Sequence, residues 1–146
     1  MADQKVIVFP TDFSTASLAA LPWARQMAGL LGAEIHCLYV VEEPHIYATL
    51  DMGPVPIPSV AELARSAEKR MEAFAGEHLG GAQPITTRVL VGRPAGELVR
   101  YARENNVVLI VMATHGYSGI RHVLLGSTTE AVLREAGCPV LSIRNS

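Results

Sequence analysis

Five short apolar runs rich in β-branched residues recur along the chain at Lys5–Pro10, Glu34–Val41, Ile85–Val91, Val107–Ala113 and Pro139–Arg144. Between successive runs lie longer segments whose apolar residues repeat three or four apart, the period of an amphipathic helix. Five strands alternating with four helices call for a mostly parallel sheet with helices on both faces, because a parallel pair needs a crossover and the helix supplies it. Right-handed crossovers then leave few topologies. The strand runs are near-continuously apolar, as strands buried on both faces must be.

Helix limits are written in local chemistry. Ala16–Leu31 places apolar residues at Leu21, Ala24, Ala28 and Leu31, and Gly32 stops it. Pro22 sits inside that pattern and removes a backbone donor, which predicts a kink or a late start. Ser59 followed by Glu62 is a capping box, so the second helix starts there and carries Val60, Leu63, Ala67, Met71 and Phe74 to Gly80-Gly81. Pro94 suits the first position of the third helix, which runs to about Asn105-Asn106. The last helix is expected over Ser127–Ala136, with Ser127 and Glu130 as a second capping box and Gly137 as its cap. Two stretches are left as loops: Glu42–Pro58, with Pro44, Pro54, Pro56 and Pro58, and Thr114–Leu125, which carries glycines and histidines. A long loop in a compact domain tends to be a lid or a docking surface, and Ile46, Tyr47, Leu50 and Met52 could close over a ligand or pack on a partner subunit.

At 146 residues the chain is expected to be one domain, residues 1–146, large enough to bury a full core without covalent staples. Cys37 and Cys138 have no metal or redox spacing and sit in apolar runs, which suits a reduced, cytoplasmic protein. The formal charge of -2, with Lys5 and Lys69 as the lysines, argues against a nucleic-acid partner, since phosphate backbones need a dense cationic face. Val107–Ala113 is far shorter than the ~18 apolar residues that suggest a membrane span, and Met1–Lys5 lacks a signal-peptide layout. No membrane association or export is expected.

Ligands of an open α/β sheet bind beyond the carboxyl ends of its strands. Four segments reach that edge here: Pro10–Ser14, Val40–Glu43, Met112–Gly119, and the approach to Gly126-Ser127-Thr128. Gly126-Ser127-Thr128-Thr129 opens a helix with free N–H groups and hydroxyls, an anion site in waiting, although a capping box alone also explains it. Asp12 could accept from a ribose hydroxyl or serve as an N-cap for the next helix. The phosphate-binding P-loop, the dinucleotide G-x-G-x-x-G and the hydrolase G-x-S-x-G are all absent. His115 and His122 lie seven apart in a loop without a neighbouring carboxylate or thiol, so no metal site is expected.

Taken together, Pro10-Thr11-Asp12-Phe13-Ser14, Tyr39-Val40-Val41-Glu42, Val91-Gly92-Arg93-Pro94, Met112-Ala113-Thr114-His115-Gly116, Leu125-Gly126-Ser127 and Cys138-Pro139-Val140 resemble, in order and over nearly the whole length, the universal stress protein family. Its nucleotide-binding branch carries G-x2-G-x9-G-S/T. Here Gly116 and Gly126-Ser127 keep the spacing, while Ala113 replaces the first glycine. The resemblance implies a five-stranded sheet of order 3-2-1-4-5 of the adenine nucleotide alpha hydrolase-like kind. It implies that Asp12 and Val40 hold an adenosine lined by Met112 and Ala113, that Gly116, Gly126, Ser127, Thr128 and Thr129 take the phosphates, and that Pro10, Thr11 and His115 belong to the same nucleotide site. ATP, with Mg2+ accompanying it, is the implied ligand, and a homodimer through Val140, Leu141, Ser142 and Ile143 the implied assembly, whose task is that of a stress-response switch with an unknown protein partner. Two other readings stay open at this point: a dimeric interaction module that binds no nucleotide, motivated by Ala113, and a slow ATPase, for which only His115, Arg121 and His122 could supply cationic help.

Overall fold

A computed structural model gives the structure of the protein and describes residues 4–43, 59–115 and 125–144. Five strands, β1 (Val6–Pro10), β2 (Glu34–Val41), β3 (Ile85–Val91), β4 (Val107–Ala113) and β5 (Val140–Ile143), form one sheet in the order β3-β2-β1-β4-β5. Every pairing is parallel. The order confirms the expected 3-2-1-4-5 arrangement. It also fixes the switch point between β1 and β4, where successive crossovers leave in opposite directions along the sheet.

Among the described residues four α-helices cover the sheet: α1 (Leu21–Leu31), α2 (Val60–His78), α3 (Pro94–Glu104) and α4 (Ser127–Glu135). Alternation along β1 divides the core into two layers. Ile7 and Phe9 pack with Ala24 and Ala28 of α1 and Met71 and Phe74 of α2, while Val6 and Val8 pack with Leu98 of α3 and Val132 of α4. Phe9, Ile7, Ile35, Leu98, Ile110 and Val132 are fully buried, each contributing about 1.5–3 kcal/mol of hydrophobic stabilisation. No helix among the described residues is long and apolar enough to cross a membrane.

The helix ends follow the local chemistry with three differences. Ser59 caps α2 through both arms of its box: the Glu62 N–H donates to Ser59 Oγ at 3.2 Å and the Ser59 N–H donates to Glu62 Oε2 at 3.4 Å. Gly32 ends α1 in the left-handed region at φ 64°, a conformation glycine takes without cost. The first is that α1 does not begin at Ala16 but takes the late start that Pro22 predicts. Residues Ala16–Ala20 form a 3-10 turn and the α-helix starts only at Leu21, because Pro22 falls within its first turn, where the missing donor is harmless. Secondly, α4 is capped by Gly126 and not by Ser127: Gly126 is extended at φ -68° and ψ 160°, Ser127 is already helical, and the Ser127–Glu130 box does not form. Thirdly, α4 ends on an extended Ala136, and Gly137 keeps a negative φ, so no left-handed cap closes that helix.

Candidate functional site

The carboxyl ends of β1 and β4 diverge at the switch point and open a cleft of about 440 Å³. Its floor is the sheet edge itself, with Pro10 of β1, Val40 of β2, and Met112 and Ala113 of β4. Val40, Met112 and Ala113 are each under 10% exposed, and Leu38 and Leu98 close the slot beneath. The sheet side of the cleft is therefore apolar, a lining that suits a heterocycle.

Thr11, Asp12 and Ser17 build the wall beyond β1. The Thr11 N–H donates to the Leu38 carbonyl at 2.9 Å, which carries the sheet register one residue past the strand. Ser17 Oγ donates to the Ser14 carbonyl at 2.7 Å and lies 2.8 Å from Thr11 Oγ1, while Thr11 Oγ1 accepts from the Phe13 N–H at 3.0 Å. Asp12 Oδ1 accepts from the Ser14 N–H at 3.0 Å and from the Ser14 hydroxyl. Asp12 is thus not a helix cap, as one reading of the sequence had it: it closes a turn, and Ser14 Oγ instead accepts from the Ser17 N–H at 3.1 Å. The turn is tight enough to hold Phe13 at φ 68°, a conformation non-glycine residues rarely adopt. Phe13 stacks on Tyr39 at 4.4 Å between centroids and carries the Arg70 guanidinium at 4.7 Å over its ring.

The opposite wall is the N-terminus of α4. The Gly126 N–H donates to the Thr114 carbonyl at 2.7 Å, and a β-carbon at Gly126 would sit only 3.1 Å from that same oxygen. Close approach, and not an unusual φ, is what demands glycine here. Thr129 is buried, and its Oγ1 donates to the Ala113 carbonyl at 3.0 Å, so the first turn of α4 is bolted to the last residue of β4. Side chains leave this helix end uncapped, and Ser127 and Thr128 present the turn to the cleft. Uncapped N–H groups and the helix dipole make that wall attractive to anions. His115 stands beside it, its Nδ1 3.0 Å from Thr114 Oγ1.

Charge is segregated along the cleft. Asp12 and Glu42 lie at one end, His115 and the helix terminus at the other, and no Lys or Arg lines it among the described residues. The structure brings Pro10, Thr11, Asp12, Val40, Met112, Ala113, His115, Gly126, Ser127, Thr128 and Thr129 around this one space. Gly116, Gly119, Arg121, His122 and the proline-rich stretch from Pro44 to Pro58 lie outside the described residues. Sequence reasoning placed Glu42 and Thr114 in segments that reach this edge without giving them a role, and it missed Ser17, Leu38, Tyr39 and, above all, Pro94 and Leu98, which arrive from α3. Ser17 alone carried a local signal, the run of hydroxyls after β1. Ala113 is the last residue of β4, extended and paired with Ile143, where a methyl group is tolerated. Among the described residues no cluster of three or more His, Cys, Asp or Glu side chains could hold a metal ion.

Comparison with known proteins is consistent across sequence and fold. The profile of the universal stress protein family matches residues 4–144. A universal stress protein of Methanocaldococcus jannaschii is 36% identical over 142 residues, covering 96% of this chain and 82% of that protein. Among solved structures, the universal stress protein UspA from Lactobacillus plantarum superposes with a TM-score of 0.75 at 28% identity, over 99% of this chain and 100% of the other. A universal stress protein crystallised in complex with cAMP superposes with a TM-score of 0.59 at 29% identity, with both chains covered in full.

Proposed function

The chain belongs to the universal stress protein family, and from that premise we propose that it is an adenine-nucleotide-binding switch whose ligand is ATP and whose working form is a cytoplasmic homodimer. One observation carries the reading: an apolar slot and an uncapped helix N-terminus face each other across the β1/β4 switch point, with an acidic end and an anion-attracting end in the same cleft. Adenine fits the slot between Val40 and Met112, the ribose hydroxyls donate to Asp12, and the phosphates meet the N–H groups of Ser127 and Thr128. Support for the ligand class also comes from the similar protein crystallised with cAMP. Mg2+ enters with the triphosphate, since the cleft's own carboxylates, Asp12 and Glu42, lie at the ribose end.

The assembly follows from β5. Among the described residues it pairs only with β4, and Val140, Leu141, Ser142 and Ile143 are all partly exposed at the sheet edge, with the first charge at Arg144. An uncharged open edge of this kind recruits another strand, and a second copy related by a two-fold axis supplies one. Because Ile143 also accepts from the Thr114 N–H at 2.9 Å, the edge strand and the nucleotide wall share a hydrogen bond through which occupancy is felt at the interface.

The test is calorimetric titration of the purified protein with ATP and Mg2+, after denaturing a sample and analysing it for co-purified nucleotide. A micromolar or tighter constant, about 8 kcal/mol or more, is expected, with sedimentation showing a dimer. No heat of binding and no co-purified nucleotide would leave the dimeric module without nucleotide as the better account.

A further inference from the structure

At the end of the sheet away from the cleft, three titratable side chains form a hydrogen-bonded chain that nucleotide binding does not use. His36 of β2 is buried at 8% exposure, with Nδ1 2.6 Å from Tyr101 Oη of α3 and Nε2 2.7 Å from Glu34 Oε1. The two rings meet edge to face, 5.9 Å between centroids. Tyr101 is partly exposed, and the Glu34 side chain is 46% exposed.

The direction of the protons follows from the groups themselves. An ionised carboxylate only accepts, so Nε2 carries the imidazole proton; in the neutral ring Nδ1 then holds the lone pair, and the tyrosine hydroxyl donates to it. A hydroxyl donating to a histidine that a carboxylate orients from behind is the connectivity that activates a nucleophile. A buried histidine could be satisfied by backbone or by one partner. Here both ring nitrogens are committed, and the far end of the chain is the hydroxyl of a partly exposed tyrosine.

We propose that Tyr101 is an acyl-acceptor site for small neutral activated esters, with His36 as the base and Glu34 as its positioning residue. Tyr101 Oη bonds to the carbonyl carbon while its proton passes to His36 Nδ1. The tetrahedral adduct then collapses, expelling the leaving group with its bonding electron pair. The proton moves from the imidazolium to that leaving group or to water, and an acyl-tyrosine ester remains. The charge around the site selects the donor class. No Lys or Arg bonds to any of the three side chains among the described residues. With the Glu34 carboxylate behind the imidazole and no cation bonded to the chain of three, a phosphoryl dianion adds to uncompensated negative charge and a neutral ester does not.

The test uses the full chain and p-nitrophenyl acetate, following release of p-nitrophenolate and then mapping the acetyl group by peptide mass. The expected result is a burst of about one equivalent, as an accumulating acyl intermediate gives, with the acetyl on Tyr101. His36→Gln should slow labelling of Tyr101 roughly a hundred-fold, the lower end of a positioned base's contribution. Glu34→Gln, a change at a solvent-facing carboxylate that leaves the fold intact, should slow it by a smaller factor. Acetyl spread over Tyr39, Tyr101 and the lysines at comparable rates overturns the proposal, as does unchanged Tyr101 labelling in Glu34→Gln, even where His36→Gln fails to fold.

Discussion

Thr129→Val probes the bolt between α4 and β4 with almost no change of shape. The Thr129 hydroxyl is buried and donates to the Ala113 carbonyl at 3.0 Å. Valine keeps the branched volume and removes the donor, leaving a carbonyl in an apolar interior without that partner. Such a loss costs about 1–3 kcal/mol. The added methyl group returns up to ~0.8 kcal/mol, so a loss in the middle of that range, about 2 kcal/mol, leaves a net destabilisation of about 1–2 kcal/mol. For a chain of this size that lowers Tm by roughly 2–8 °C. Urea denaturation reads it directly as a lower midpoint at unchanged m. Thr129→Ser separates the causes, because it keeps the donor and loses only a methyl group. The same bolt sets the gap between Gly126 and the sheet edge, so ATP affinity should fall with stability in Thr129→Val and hold in Thr129→Ser. A Thr129→Val protein within ~0.3 kcal/mol of the parent, or Thr129→Ser the less stable of the two, would refute the reasoning.

Asp12→Ala should weaken ATP binding at least ten-fold by calorimetry, about 1.4 kcal/mol or more, and a parent-like constant would remove Asp12 from the site. Ser59→Ala deletes a capping box whose two arms are both formed and should cost about 1 kcal/mol in urea unfolding. Burial pushes the Cys37 thiol up to about 12, so a thiol reagent near pH 8 should leave it intact in the native protein and modify it only on unfolding. The same shift gives a pH dependence. Above pH 9.0, the ordinary value, the unfolded chain loses the Cys37 proton while the folded chain keeps it, so stability should fall from there up to about 12 and show no contribution from this group below. Cys37→Ala should flatten that alkaline limb in unfolding curves taken across the range.

Much of the candidate site was legible because its signals are local. A hydroxyl-rich turn after an apolar strand, and a glycine followed by Ser127, Thr128 and Thr129, announce themselves within a few residues. The misreadings were local too. Ser127-Thr128-Thr129-Glu130 satisfies the capping-box pattern, yet the cap lies one residue earlier, at Gly126, which can approach the Thr114 carbonyl in a way that no side-chain-bearing residue manages freely. Asp12 suits an N-cap by type, but the turn that places Phe13 on Tyr39 draws its carboxylate onto Ser14 instead.

What the sequence determined by itself is the alternation of strand and helix, most of the positions where helices start and stop, and hence a parallel sheet with a candidate ligand edge at its carboxyl end. Hydrophobic period, caps and turn residues act over three or four positions, so a reader of the chain sees them directly. Only the tertiary structure decided which distant residues share a space. Pro94 and Leu98 complete the cleft from α3, and His36 finds Tyr101 across 65 residues, because sheet order and register bring those elements together. The physical reason is that a side chain's partner across a packed layer is selected by the geometry of the whole sheet, while its own few neighbours in sequence carry no record of that choice.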